Sequence, residues 1–376
     1  MRTLSPDDPT LGLFSVLRED GSADPARDPF LPKERLLAMF REMLRIRRID
    51  ERMLGKQRQG KVGFYGTITG QEATPIATAF ALEAGDWVFP ALRESSIMLC
   101  RGFSLTTWLA QVYGNAADVQ KGRQMPSHQA GRAVNQVGWS SCIGPQVPQA
   151  VGAAMAEKRR LKKHGGPAHV MVAFLGDGAT SQPDFHAAMT FAAIDAPPVV
   201  IICQNNHWSI SVPTEKQSAS QTLAVKAHAY GIAGARVDGN DVLATHRVIQ
   251  EAVARARAGG GPTFVEALTY RMGPHSSSDD PTRYRSNEEV EAWGKKDPLA
   301  RFERYLRRSE ILTDAYLATL ETELHEEFEK AIAEVESFGP PSRESLFEDT
   351  FGGELPPHLK EQQRELLAGP HAPATH

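Results

Sequence analysis

The residues best suited to do chemistry in this chain are Asp177 and Asn206. Asp177 stands in Gly176-Asp177-Gly178-Ala179, directly after the apolar run His169–Leu175. Asn206 closes Asn205-Asn206, just beyond a second apolar run, Val199–Cys203. A carboxylate, an amide oxygen and a main-chain carbonyl just beyond make three hard oxygen ligands. That set suits Mg²⁺, which completes its octahedron with phosphate oxygens and water. The glycine turn also feeds a predicted helix start, with Ser181 as its N-cap, Pro183 in the first turn and Asp184 three residues after the cap. N–H groups at such a turn favour a phosphate. The constellation therefore reads as a site for a Mg²⁺-bound diphosphate. A nicotinamide site would require Gly-x-Gly-x-x-Gly, but residue 181 is serine, and no Gly-Lys-Ser/Thr phosphate loop is present.

The elements that must position these groups follow from the hydrophobic pattern. Residues 1–32 are rich in Asp, Pro and Gly without a period and read as an irregular arm. Met39, Met43, Ile46, Ile49 and Met53 recur at spacings of three and four, predicting a long helix over roughly 33–60 that Gly60 and Gly63 end. A small-residue helix is expected from Pro148 to about Lys163. Strand 169–175, helix 183–194 and strand 199–203 follow it. Next come a helix near 222–230, a short strand at 236–238, helix 241–258 and strand 263–270. Near-continuous apolar strands alternating with helices predict a doubly wound, mostly parallel α/β sheet. In such a sheet one βαβ crossover sets Asp177 beside Asn206. The expected division is an arm (1–32), a diphosphate-binding α/β domain (33–286) and a helical C-terminal extension and tail (287–376).

The bulk properties exclude several classes. With 376 residues, 41% of them hydrophobic, the chain can bury a large core. A net charge of −4 gives no electrostatic case for nucleic acid or an anionic membrane. No apolar run is long enough to span a bilayer. Cys100, Cys142 and Cys203 lack metal-ligand spacing. They read as reduced thiols and, with no apolar leader, predict a cytoplasmic location.

The run GDGATSQPDFHAAMTFAAIDAPPVVIICQNN (176–206) resembles the thiamine diphosphate motif, in which GDG and NN are separated by one helix and one strand. Further strings narrow the match: RQGKVGFYG (58–66), WVFPALRE (87–94), KGRQMPSH (121–128), SSCIGPQVPQAVGAA (140–154), RVDGND (236–241) and YRMGPHSSSDD (270–280). Together they resemble the α subunit of a 2-oxo-acid dehydrogenase decarboxylase, the branched-chain type more than the pyruvate type.

The resemblance implies that Asp177, Asn206 and the carbonyl of Trp208 hold Mg²⁺. It places the amides of Gly178 and Ala179 on the diphosphate, with Arg93, Ser141, Ile143 and Gln204 at cofactor contacts. It assigns His275 and His128 to catalysis, and Phe64 and Tyr65 to an apolar substrate pocket. Leu92 stands where relatives often have Tyr, and Gln204 where some have Arg. The implied reaction is oxidative decarboxylation of a branched-chain 2-oxo acid, followed by acyl transfer to the lipoyl domain of an acyltransferase component. Glu72 and Glu94 are the candidates within the chain for the carboxylate that activates the cofactor, but the resemblance implies that this glutamate comes from a β subunit of an α₂β₂ heterotetramer. Two other readings stay open: a pyruvate- or acetoin-specific α subunit, and a non-catalytic metal–nucleotide-binding regulatory subunit. The loop from Arg271 to Arg285, rich in Ser, Asp, Gly and Pro, is expected to lack anchors of its own.

Overall fold

The computed structural model describes residue 5, residues 7–349 and residues 351–370. The first four residues and residue 6 of the expected arm, and the last six of the tail, lie outside the described residues. In chain order the helices are α1 (Lys33–Arg58), α2 (Ala73–Ala81), α3 (Ser96–Cys100), α4 (Leu105–Tyr113), α5 (Gln146–His164), α6 (Pro183–Asp195), α7 (Lys226–Tyr230), α8 (Val242–Arg257), α9 (Asn287–Gly294), α10 (Pro298–Arg308), α11 (Asp314–Glu336) and α12 (Pro357–Ala368). The strands are β1 (Trp87–Phe89), β2 (Met171–Gly176), β3 (Val199–Asn205), β4 (Trp208–Ser209), β5 (Val212–Pro213), β6 (Ala233–Asp238) and β7 (Thr263–Leu268). Five of them form one parallel sheet in the order β1-β2-β3-β7-β6, while β4 and β5 pair as a short antiparallel ribbon.

Side chains that alternate along a strand point to opposite faces, and here both faces are covered. Val170, Val172 and Phe174 with Val200 and Ile202 face a core shared with α1, α8, α10 and α11. Met171, Ala173 and Leu175 with Val199, Ile201 and Cys203 face a second core closed by α5 and α6. This double burial is why the two central strands read as unbroken apolar runs. The arm is not loose: Phe14 bridges Val237 beside the sheet's edge strand. Asp241 accepts N–H bonds from Val16 (2.7 Å) and Leu17 (2.5 Å). No described helix is long and apolar enough to cross a membrane.

One local expectation is corrected. Ser181 does not cap α6. Residues Asp177–Ser181 form a 3₁₀ turn, and the helix starts after Gln182 without a side-chain cap.

Candidate active site

The register Gly176↔Gln204 sets the ends of β2 and β3 side by side, and Asn205↔Leu268 adds the end of β7. Loops leaving these carboxyl ends, with the one leaving β1, enclose a cavity of about 460 Å³. Carboxyl ends are where ligands enter sheets of this kind. Of the residues singled out in the sequence, Phe64, Arg93, Ser141, Ile143, Asp177, Gly178, Ala179, Gln204, Asn206, Trp208 and His275 line the cavity.

Tyr65 and His128 do not. Tyr65 is buried on the other side of the extended segment from Phe64, and its hydroxyl donates to Asp50 Oδ1 at 2.9 Å. Phe64 is therefore the one of the two that faces the cavity. His128 is buried against Trp139, with ring centroids 3.7 Å apart and planes at 15°. Burial lowers its pKa, so the ring is neutral. Its Nδ1 sits 3.1 Å from the Pro126 carbonyl and so carries the proton, which leaves Nε2 to accept the Ser141 hydroxyl at 2.5 Å. His128 thus meets the cavity through Ser141.

One corner is built for a hard cation. Burial pushes the Asp177 carboxyl up to about 6, and its Oδ2 accepts the Thr214 hydroxyl at 3.1 Å. Asn206 Nδ2 donates to Gln71 Oε1 at 2.9 Å, so its Oδ1 turns the other way and accepts the Trp208 N–H at 3.1 Å. The Trp208 carbonyl accepts from Arg271 Nη1 at 3.3 Å. Each of these oxygens keeps a second lone pair. Among the described residues no group of three or more His, Cys, Asp or Glu is poised to hold a metal. The donor set is one carboxylate, one amide and one carbonyl, which fits Mg²⁺ and not Zn²⁺. The backbone approaches closely here too. A Cβ on Gly178 would lie 2.3 Å from Ser209 Oγ, so only glycine fits.

The opposite charge gathers beside it. The guanidinium of Arg93 is buried and donates only to the carbonyls of Thr67 and His275, the latter at 2.8 Å. Arg271, also buried, donates to the Ile210 carbonyl (2.7 Å) and the Tyr284 hydroxyl (2.7 Å), and its Nε has no partner. Burial and the neighbouring Arg271 lower the Arg93 pKa to about 10. Two buried cations whose fixed partners are neutral oxygens are costly, and an anion between them removes the cost. His275 is pushed down to about 4 by burial and by Arg93 and Arg271. At neutral pH it offers an N–H and no charge.

Gln71, Thr214 and Trp139 are not assigned to the site by the sequence, whereas Arg271, flanking the His275 loop, is expected there to meet an anionic diphosphate. Nothing local in the string marks the first three, because each owes its position to a long-range contact.

The profile of the family described as Dehydrogenase E1 component matches residues 41–344. The chain belongs to that family. It is similar to the 2-oxoisovalerate dehydrogenase subunit alpha, mitochondrial, of Macaca fascicularis, with 37% identity over 97% of this chain and 82% of the relative. The Caenorhabditis elegans protein of the same name is 37% identical over 96% of this chain and 83% of its own length. The subunit alpha 2 of Arabidopsis thaliana is 40% identical over 88% and 69%. Family membership makes the chain an enzyme subunit of the 2-oxo-acid dehydrogenase type and implies dependence on thiamine diphosphate. It corrects one expectation. The cytoplasmic location inferred from the thiols and the polar N-terminus is overturned by relatives that are named as mitochondrial. Reduced cysteines and a polar start suit an organelle interior equally well, so those signals never separated the two compartments.

Proposed function

We propose that this chain is the α subunit of a branched-chain 2-oxo-acid decarboxylase, and that it holds Mg²⁺ and the diphosphate of thiamine diphosphate. The observation that carries the reading is the pairing of two corners in one cavity. Asp177, Asn206 and Trp208 present oxygen ligands, while Arg93 lines the cavity as a buried cation without a carboxylate partner, and buried Arg271, its neighbour behind the lining, also lacks one. Asp177, Asn206 and the Trp208 carbonyl would hold the ion. The amides of Gly178 and Ala179, with Arg93, Gln204 and His275, would hold the diphosphate. When bound, the cofactor supplies the electron sink for decarboxylation.

The chain's own residues bind, orient and exclude water. Phe64, Leu92, Met125, Trp139 and Ile143 give the cavity an apolar wall suited to a branched aliphatic substituent. Ser141, its proton directed to His128, turns a lone pair toward the ligand. The carboxylate that activates the aminopyrimidine is assigned to a β subunit. Glu72 is spent on Arg47 and on the Gly70 N–H (3.0 Å), away from the cavity. Glu94 lines the cavity but is held by the Ala91 N–H (2.7 Å) and by Gln204. An α₂β₂ assembly passing its acyl group to a lipoyl-bearing acyltransferase completes the reading.

The test is co-expression with the cognate β chain and turnover of competing 2-oxo acids. The expected result is a higher kcat/KM for 2-oxoisovalerate than for pyruvate. Each methylene in an apolar pocket is worth about 1–3 kcal/mol, so some activity toward pyruvate accompanies it. A preference for pyruvate would reject the substrate assignment.

A further inference from the structure

We infer that Glu94 and Gln204 form a proton-coupled latch on the cavity, in which protonation of Glu94 turns the Gln204 amide so that its N–H, not its carbonyl, meets a bound diphosphate. The inference rests on the cofactor reading above and goes beyond it, since it names how the site admits the anion.

The geometry begins with an unmet acceptor. Both residues line the cavity and are buried. Gln204 Nε2 donates to Glu94 Oε1, and Gln204 Oε1 is buried with no partner at all. An unpartnered amide carbonyl on a residue that lines a site for a diphosphate is the wrong dipole for that ligand. Glu94 Oε2 is already fixed by the Ala91 N–H at 2.7 Å, so Oε1 is the oxygen free to change state.

When a proton from solvent binds Oε1, that oxygen becomes a donor and can no longer face Nε2. A half-turn of the Gln204 amide brings its Oε1 to the new O–H, satisfying the orphaned carbonyl. The same turn frees Nε2 to donate into the cavity. One proton is taken up, and no other bond is made or broken.

The surroundings favour this. The charged group acting on Glu94 is Arg93 on its own segment, which has Arg271 as its neighbour, while Asp177 at the end of β2 and His275 on the loop after β7 line the same cavity. Burial outweighs the Arg93 charge and pushes the Glu94 carboxyl up to about 7. A diphosphate brought beside it raises it further. Binding therefore takes up a proton between about pH 7 and the higher value of the loaded site, and affinity falls as pH rises through that window. For one coupled proton the slope approaches about tenfold per pH unit.

The test is calorimetric titration of the assembled α and β chains with Mg²⁺-thiamine diphosphate. It is run in two buffers of different ionisation enthalpy from pH 6.5 to 8.5. The wild type should show net proton uptake beyond that of the cofactor itself. In Glu94→Gln a fixed amide donates to Gln204 permanently, so the extra uptake should vanish and the pH slope flatten. Gln204→Arg supplies a fixed cation that keeps Glu94 ionised, and should abolish the uptake by a different route. Thermal unfolding shows that each variant is folded. A proton count and pH slope in Glu94→Gln equal to the wild type would overturn the latch while leaving the cofactor reading standing. Failure of the wild type to bind Mg²⁺-thiamine diphosphate would overturn both.

Discussion

At the scale of single residues, Asp177 is buried, and burial outweighs the hydrogen bonds to its carboxylate, the Thr214 hydroxyl first among them, to hold its pKa near 6. Such a group contributes to binding and not to stability. Asp177→Ala should leave the unfolding temperature unchanged or slightly raised, because a desolvated carboxyl is removed. Mg²⁺-dependent cofactor affinity, measured by titration calorimetry, should fall by more than the roughly 10–100-fold typical of losing an outer-shell partner. Undiminished affinity would remove Asp177 from the metal site. Gln71 is that outer-shell partner, since its Oε1 takes the Asn206 amide proton and so aims Asn206 Oδ1. Gln71→Leu should cost about 10–100-fold in metal affinity. Gln71→Glu, which keeps the acceptor, should restore it. Mn²⁺ binding followed by electron paramagnetic resonance separates the two variants, and an equal loss in both would show that Gln71 does not orient Asn206.

At the scale of elements, what was legible in the sequence depended on how much of the burial was local. β2 and β3 are covered on both faces and so appear as apolar runs. The methionine and isoleucine stripe of α1 announces a helix at its true length. β1 has three residues and α3 five, too few to show a period, and the strings around them were left unassigned. Asp177 and Asn206 were legible because each ends a readable strand, whereas Gln71 reaches the site only through a tertiary contact. The loop after β7 shows the same limit. Its composition suggested a segment without anchors, but Arg285 donates to the carbonyls of Arg271, Met272 (2.6 Å) and Gly273 (2.9 Å). Asp279 holds the His275 N–H at 2.7 Å and the Tyr284 hydroxyl at 2.5 Å. Arg271 is buried while Arg283 is exposed, so trypsin should cut first after Arg283. Asp279→Ala removes two charge-assisted bonds of about 1.5–3 kcal/mol each and should raise that cleavage rate at least about tenfold. Saturating Mg²⁺-thiamine diphosphate should reverse much of the increase, because in the proposed site it would contact the closed loop through His275. A rate insensitive to Asp279→Ala would show that the clamp does not hold the loop.

At the scale of the whole molecule, the cavity opens beneath a rim of exposed apolar side chains. Met125 and Ile143 stand on the lining itself, Ile210 joins them from the ribbon side, and Val212 follows on β5. Single exposed hydrophobes are ordinary, but several gathered around one mouth are the mark of a surface that is covered in use. Neither candidate carboxylate of the chain is free for the aminopyrimidine, since Glu72 is tied to Arg47 and Glu94 to Gln204. Both facts support the proposal that the missing catalytic group comes from a partner seated at the rim. The purified α chain should therefore bind Mg²⁺-thiamine diphosphate weakly and release no CO₂ from 2-oxoisovalerate, with activity appearing only when the β chain is added. Ile143→Glu sets a charge in the rim without touching the proposed metal ligands. It should weaken recovery of the α–β complex by size-exclusion chromatography while leaving the α chain's own unfolding temperature unchanged. Decarboxylation by the partner-free chain would refute the shared site and turn attention to Glu94, a buried acid inside the cavity that is poised near neutral pH and is not among the proposed metal ligands.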